Sequence, residues 1–326
     1  MSGDLAPWQQ RSYAQAVAML DAGRLPHGLL LAGPAGVGKL AVAQRLARRL
    51  LCRSPIGADA CGQCRSCQLL AASTHPDFIE ETLEPNDKGV LRKEILIAQV
   101  RRLSEKLVLT PHLSHGQVAL IHPAEMMNRA AFNAVLKTLE EPPPGRYLIL
   151  LAHQPQRLPA TIRSRCQSLR MDVPPRDEAL AFLRANGHKA SDATEALDVA
   201  QGNPGLAERY LTSDGLTLRR SVARDLVALA QGAMAVADLA PAWSSDQPDL
   251  RLRFAGEIVR DHLARRAGGS AIDPLHDNGW SAQLDVTALA TWFDASLRCL
   301  DGLEATLATP LQIADLLHQW RQLNTA

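Results

Sequence analysis

At 326 residues the chain is too long for one ordinary core, so two or three domains are expected. Its 46% apolar and 21% charged residues are the composition of a globular protein in water, and no apolar run approaches the roughly 20 residues of a membrane span. A net charge of +1 gives no global argument for nucleic-acid binding while leaving room for a local basic patch, and 4% aromatic residues offer few platforms for stacking bases.

The N-terminus is polar and resembles no signal peptide, which places the chain in the cytoplasm, a reducing compartment. Residues 8–22 carry a modest helical pattern with apolar Tyr13, Val17, Ala18 and Leu20, stopped by Asp21-Ala22-Gly23. A strand-length apolar run, 28–32, then leads into Gly33-Pro34-Ala35-Gly36-Val37-Gly38-Lys39-Leu40 and a helical pattern over 39–53. Strand, glycine loop and helix are the context in which G-x-x-x-x-G-K cradles phosphate. Gly33, Gly36 and Gly38 let backbone N–H groups point inward, the helix N-terminus adds partial positive charge, and Lys39 reaches the terminal phosphates. One position departs from the pattern. The residue after the lysine is Ser or Thr in a working loop, where its hydroxyl holds magnesium, and here it is Leu40. On the helix that follows, Arg45, Arg48 and Arg49 share one face, either simply solvated or in contact with phosphate or DNA.

Four of the six cysteines follow within sixteen residues: Cys52, then Cys61-Gly-Gln-Cys64-Arg-Ser-Cys67. Two C-x-x-C steps sharing Cys64 put three thiolates in one tight turn, and Cys52 completes a tetrahedron. Four thiolates leave no open position, so the expectation is a structural zinc site. Four unliganded thiols or a redox C-x-x-C are the alternatives.

Strand-length segments recur at 78–82, 117–122, 147–152 and 167–171, with helical patterns at 92–109 and 125–139 between them. That alternation predicts a parallel sheet covered on both faces, so residues 1–171 read as an α/β nucleotide-binding type of domain carrying the four-cysteine module. Val173-Pro174-Pro175 breaks the pattern, and only helices are expected beyond it: 176–184, 193–200 and 204–211 as a three-helix unit, then 219–229, 250–265, 286–307 and 311–323, with a loop at 266–278.

In a phosphate-loop ATPase a second apolar strand ends in acidic residues that serve magnesium and the attacking water. Here the strand 117–122 runs into His122-Pro123-Ala124-Glu125. Proline cannot polarise water, histidine is a poor magnesium ligand beside oxygen donors, and Glu125 is expected to open the next helix, where an acid suits the dipole. With Leu40 this makes two independent losses from the hydrolytic site. Two further segments stand out: Leu136-Lys-Thr-Leu-Glu-Glu-Pro-Pro143, a helix closed by prolines, and Ser164-Arg165-Cys166, which leads into the last strand. On the residues alone, Arg165 is a surface ion-pair partner or a functional arginine.

Taken together, the phosphate loop, the four-cysteine module, the LKTLEEPP helix and Ser164-Arg165-Cys166 resemble the bacterial clamp-loader AAA+ family in order and spacing over about residues 8–210. The resemblance implies an AAA+ domain (1–171) with the zinc module at about 52–67, a three-helix lid (172–212) and a helical oligomerisation collar (213–326). It also implies the role of Arg165: in such complexes this arginine reaches the γ-phosphate of a neighbouring subunit's ATP, with Ser164 and Cys166 positioning it. The family's motor subunits, gamma and tau, keep the loop threonine and the acidic pair that this chain lacks. Their sensor-2 arginine falls at Gly205, a third departure. The chain thus reads as a non-hydrolysing member, a non-catalytic part of a replicative polymerase assembly. Its implied partners are gamma/tau-type motors and the delta subunit, and indirectly the sliding clamp and primer–template DNA. ATP binding at Lys39 is doubtful and hydrolysis is not expected. Two other readings stay open on sequence alone: an active ATPase motor using Glu125, and a DNA-binding protein organised by the four cysteines.

Overall fold

The computed structural model describes residues 4–268, 275, 280, 285–303 and 309–323. The chain forms two compact units, one of residues up to 187 with 202–206, the other of 188–201 with the chain from 207 onward.

The first unit is built on five strands, β1 (Gly28–Ala32), β2 (Phe78–Glu81), β3 (Gln117–Ile121), β4 (Arg146–Ala152) and β5 (Gln167–Arg170), in the order β2-β3-β4-β1-β5. Every neighbouring pair is parallel, so the predicted α/β class holds. Because successive strand residues face opposite sides, the sheet feeds two cores. Leu30, Ala32, Ile121 and Leu150 pack with helices α4 (Ile97–Val108) and α5 (Arg129–Glu140). Leu29, Leu31, Leu120 and Leu151 pack with α1 (Pro7–Asp21) and α2 (Lys39–Leu51).

Two predicted helix starts are corrected. Residues 92–96 are not helical: Ile95 pairs with Met127 in a bridge, and α4 begins only after Leu96, whose N–H is held by the Gln99 side chain at 3.0 Å. The helix expected from residue 125 is split into a 3₁₀ turn, Ala124–Met126, and then α5, whose N-cap Asn128 accepts the Ala131 N–H at 2.9 Å. That side-chain cap fixes the true start. Glu125 therefore does not open a long helix. A short α3 (Arg65–Ala71) lies inside the cysteine module, and the single-turn α6 (Ala160–Arg163) precedes β5. The helix α7 (Arg176–Ala185) belongs to this unit: Phe182 meets Trp8 edge-on at 5.4 Å between centroids, and Glu178 takes both terminal nitrogens of Arg11.

The second unit is helical among its described residues: α8 (Ala190–Val199), most of α9 (Pro204–Thr212), α10 (Gly215–Ala230), α11 (Val236–Ser245), α12 (Pro248–Arg266), α13 (Val286–Gly302) and α14 (Thr309–Leu323). The helix α11, absent from the sequence-based expectation, contains Pro241. Burial of Leu239, Ala240 and Trp243 holds that helix despite the lost donor. Trp243, Trp292 and Trp320 are fully buried, and each indole N–H has an acceptor: Asp225, the Leu316 carbonyl and the Leu226 carbonyl. An indole can be buried only on that condition. Most of the expected loop at 266–278 and the end of the expected helix 286–307 lie outside the described residues. No described helix is long and apolar enough to cross a membrane.

Candidate functional site

The phosphate loop connects the C-terminal end of β1 to α2, as its sequence requires. Its glycines are dictated by neighbours as much as by backbone angles. At Gly38 (φ 88°) a Cβ would collide with the Gln9 amide, and at Gly33 it would collide with the Met171 carbonyl. Trp8 and Gln9 of α1 both donate to the Val37 carbonyl, at 2.9 and 3.3 Å, and brace the loop from outside. Lys39 is buried and turned inward, its Nζ donating to the Gly33 and Pro34 carbonyls at 2.5 and 2.6 Å. Burial pushes its pKa down to about 8, with the Glu125 carboxylate pulling the other way.

The segment 203–206 forms the loop's other wall. Asn203 donates to the Ala35 carbonyl at 2.6 Å and accepts the Leu206 N–H at 3.1 Å. A Cβ on Gly205 would collide with the Gly36 carbonyl. At this position backbone lies against backbone, with no room for a side chain in this arrangement. We expect Gly205→Arg to lower the melting temperature by several degrees, consistent with a ~2 kcal/mol overpacking cost, and to create no ATP affinity. Thermal melts with and without ATP check both.

At the end of β3 the two positions meant for acids do other work. His122 Nε2 pairs with Glu80 Oε1 at 2.7 Å, and Pro123 offers no polar side chain. Glu125 is buried beside them, but its Oε1 accepts the N–H groups of His153 and Gln154 at 2.8 and 3.1 Å. It ties the ends of β3 and β4 together. Its second oxygen, Oε2, is buried without a hydrogen-bond partner among the described residues.

Arg165 lies at the opposite end of the sheet. In the parallel register Leu29 faces Gln167 and Ala32 faces Arg170, so Arg165 stands before Gly28 while the phosphate loop begins after Ala32. At about 3.3 Å per residue the four steps from Gly28 to Ala32 span roughly 13 Å. The guanidinium donates to the Thr161 carbonyl at 3.0 Å and pairs with Glu140 at 2.8 Å, with 38% of the Arg165 side chain exposed. Ser164 Oγ donates to the same Thr161 carbonyl at 3.2 Å. Cys166 is buried, and burial pushes its thiol up to about 11, so it is a packing group. Gly28 makes this corner possible: a Cβ there would meet Leu139 Cδ2 at 2.8 Å and the Arg165 carbonyl at 3.2 Å. The LKTLEEPP helix and Ser164-Arg165-Cys166 thus come together, a contact no sequence pattern had indicated.

The face bearing Arg45 and Arg49 is committed internally. Arg45 pairs with Asp59 at 2.8 Å over the Tyr13 ring, and Arg49 pairs with Asp21 at 3.2 Å.

Cys52, Cys61, Cys64 and Cys67 place their four sulfurs within 4.8 Å of one another. Cys52 is at 4.0 Å from Cys64, Cys61 at 3.9 Å from Cys67 and Cys64 at 3.5 Å from Cys67. A zinc ion with ~2.3 Å bonds separates its thiolates by about 3.8 Å, so the group fits. Burial disfavours a thiolate at Cys64, yet N–H groups of Cys67 and Arg53 outweigh it and bring the pKa down to about 6. Burial and the Cys64 thiol push Cys67 up to about 12. Crowded thiols share few negative charges until a cation neutralises them.

Comparison with known proteins decides the lineage. A family model described as DNA polymerase III, delta subunit, matches residues 8–175. Subunit delta′ of DNA polymerase III from Pseudomonas aeruginosa is 40% identical over 333 residues, covering 98% of each chain. The chain belongs to the DNA polymerase III delta-prime family. The Escherichia coli K12 member is 34% identical over 279 residues, 85% of this chain and 82% of that one. Subunit tau of Salmonella typhimurium is 34% identical over 169 residues, but this covers only 49% of this chain and 25% of tau. Likeness to delta-prime thus runs the length of the chain, whereas likeness to tau is confined to about half.

Proposed function

We propose that this delta-prime-family chain is a non-hydrolysing subunit of the DNA polymerase III clamp loader. It closes one end of a pentameric arc and supplies Arg165 to the ATP of one neighbour. Its partners are gamma/tau-type motor subunits and the delta subunit, and the assembly loads the sliding clamp on primed DNA in the cytoplasm. Residues 172–212 serve as the lid and 213–326 as the collar through which subunits associate. The four cysteines hold structural zinc.

One observation carries this reading: Arg165 is exposed beyond the end of β1 that lies away from the phosphate loop, with a strand of roughly 13 Å between them. An arginine there is too far to serve a nucleotide on its own loop, and serving another subunit's means exchanging the Glu140 pairing for a phosphate. The inward Lys39, Leu40, the His122-Pro123 strand end and Gly205 support the complementary half, a loop kept as scaffold. Incubating the isolated chain with ATP and magnesium tests it. No turnover is expected, and turnover abolished by Lys39→Ala would establish an active motor instead.

A further inference from the structure

The metal module is joined to the sheet by a buried chain of hydrogen bonds through residues with no role in metal ligation. Ser66 lies between Cys64 and Cys67 and is fully buried; His75 is 5% exposed and Asp77 fully buried. The Asp77 N–H donates to His75 Nδ1 at 3.0 Å. That acceptor role leaves the proton on Nε2, as expected of a histidine whose pKa burial lowers. His75 Nε2 then donates to Ser66 Oγ at 2.7 Å, and Ser66 donates to the Leu51 carbonyl at 2.7 Å. Leu51 ends α2, so its carbonyl is one that the helix cannot satisfy itself, and the next residue is Cys52. Ser114 reinforces the same carbonyl at 3.1 Å, and its loop is tied back to the Asp77 carboxylate, which accepts the N–H groups of His112, Leu113 and Ser114 at 2.7–2.9 Å.

We infer that Ser66 and His75 are positioning residues of the metal module: the directional chain Asp77–His75–Ser66–Leu51 holds Cys52, at the end of α2, against the turn carrying Cys61, Cys64 and Cys67. Cys52 Sγ also accepts the Cys61 N–H at 3.2 Å, and the buried chain adds a second tie that anchors the helix end itself. The chain also makes the module a staple on the end of the helix that begins at the phosphate loop. The link is reciprocal, since whatever the hydrogen bonds give the metal site, bound metal gives back to them.

The inference rests on the zinc reading, and one experiment separates the two. Zinc content of the full-length native chain is measured first; absence of zinc sinks the metal reading itself. Zinc release to a chromogenic chelator is then followed for native chain, Ser66→Ala, His75→Leu and His75→Gln. Outer-shell hydrogen bonds at metal sites are worth ~10–100-fold in affinity, and these act one bond further out, so release about fivefold to tenfold faster is expected for Ser66→Ala and His75→Leu. His75→Gln, whose amide N–H can reach Ser66, should fall between these and native. Release within twofold of native in all three variants overturns the inference. Should the variants fail to fold, native chain stripped of metal decides it. Faster amide exchange at His112, Leu113 and Ser114 is expected, and unchanged exchange overturns the proposal.

Discussion

Arg165→Ala is expected to leave the chain folded and able to assemble, and to reduce ATP turnover at the neighbouring subunit's site by about 10³–10⁵. The two halves of that expectation have different physical origins. For folding, the side chain contributes one half-exposed ion pair with Glu140 and one bond to the Thr161 carbonyl. An exposed pair of this kind is worth ~0.2–1 kcal/mol, a small part of a domain's stability. For turnover, a planar fork donates to charge spread over phosphoryl oxygens. Arg165→Lys is expected to rescue little, because an ammonium is a point charge without the two-nitrogen fork. Total turnover of a reconstituted assembly falls by the share belonging to that one site. Steady-state ATPase with the motor subunits, alongside size-exclusion chromatography, measures both halves.

Cys64→Ser is expected to remove bound zinc and to destabilise the first unit by several kcal/mol. Cys64 is at contact distance from both Cys52 and Cys67, so its loss opens the tetrahedron from the middle. Structural zinc contributes directly to folding free energy, and loss of a metal is among the few changes that cost this much. The damage should spread beyond the turn, since Ser66 between the ligands reaches Leu51, His75 and through them Asp77 and the loop 112–114. Zinc content with thermal denaturation tests it, and treating native chain with a chelator should reproduce the shift.

Much of this fold is legible in local pattern. Five runs become five strands to within a residue; the central β1, β3 and β4 are buried on both faces and so apolar along most of their length, whereas the edge strands β2 and β5 carry exposed polar residues. The phosphate loop and the cysteine spacing are local constellations, and both form as spaced. What escaped reading depends on partners distant in the chain. Glu125 reads as a helix-opening acid because nothing near it announces the N–H groups of His153 and Gln154, supplied from the end of another strand. Glu140 reads as a surface charge until the corner at Gly28 brings Arg165 beside it. His75 and Asp77 carry no motif at all, and only burial together with the Cys64–Cys67 turn gives them a role. Glycine at position 205 is readable, whereas the approach of its backbone to the Gly36 carbonyl is not.

The central claim is that the chemistry has left the chain's own phosphate loop for Arg165, and a paired substitution tests it most directly. ATP turnover of the reconstituted assembly is measured with native chain, with Lys39→Ala and with Arg165→Ala. The account predicts native rates for Lys39→Ala and loss of one site's turnover for Arg165→Ala. Loss with Lys39→Ala and a native rate with Arg165→Ala would contradict it.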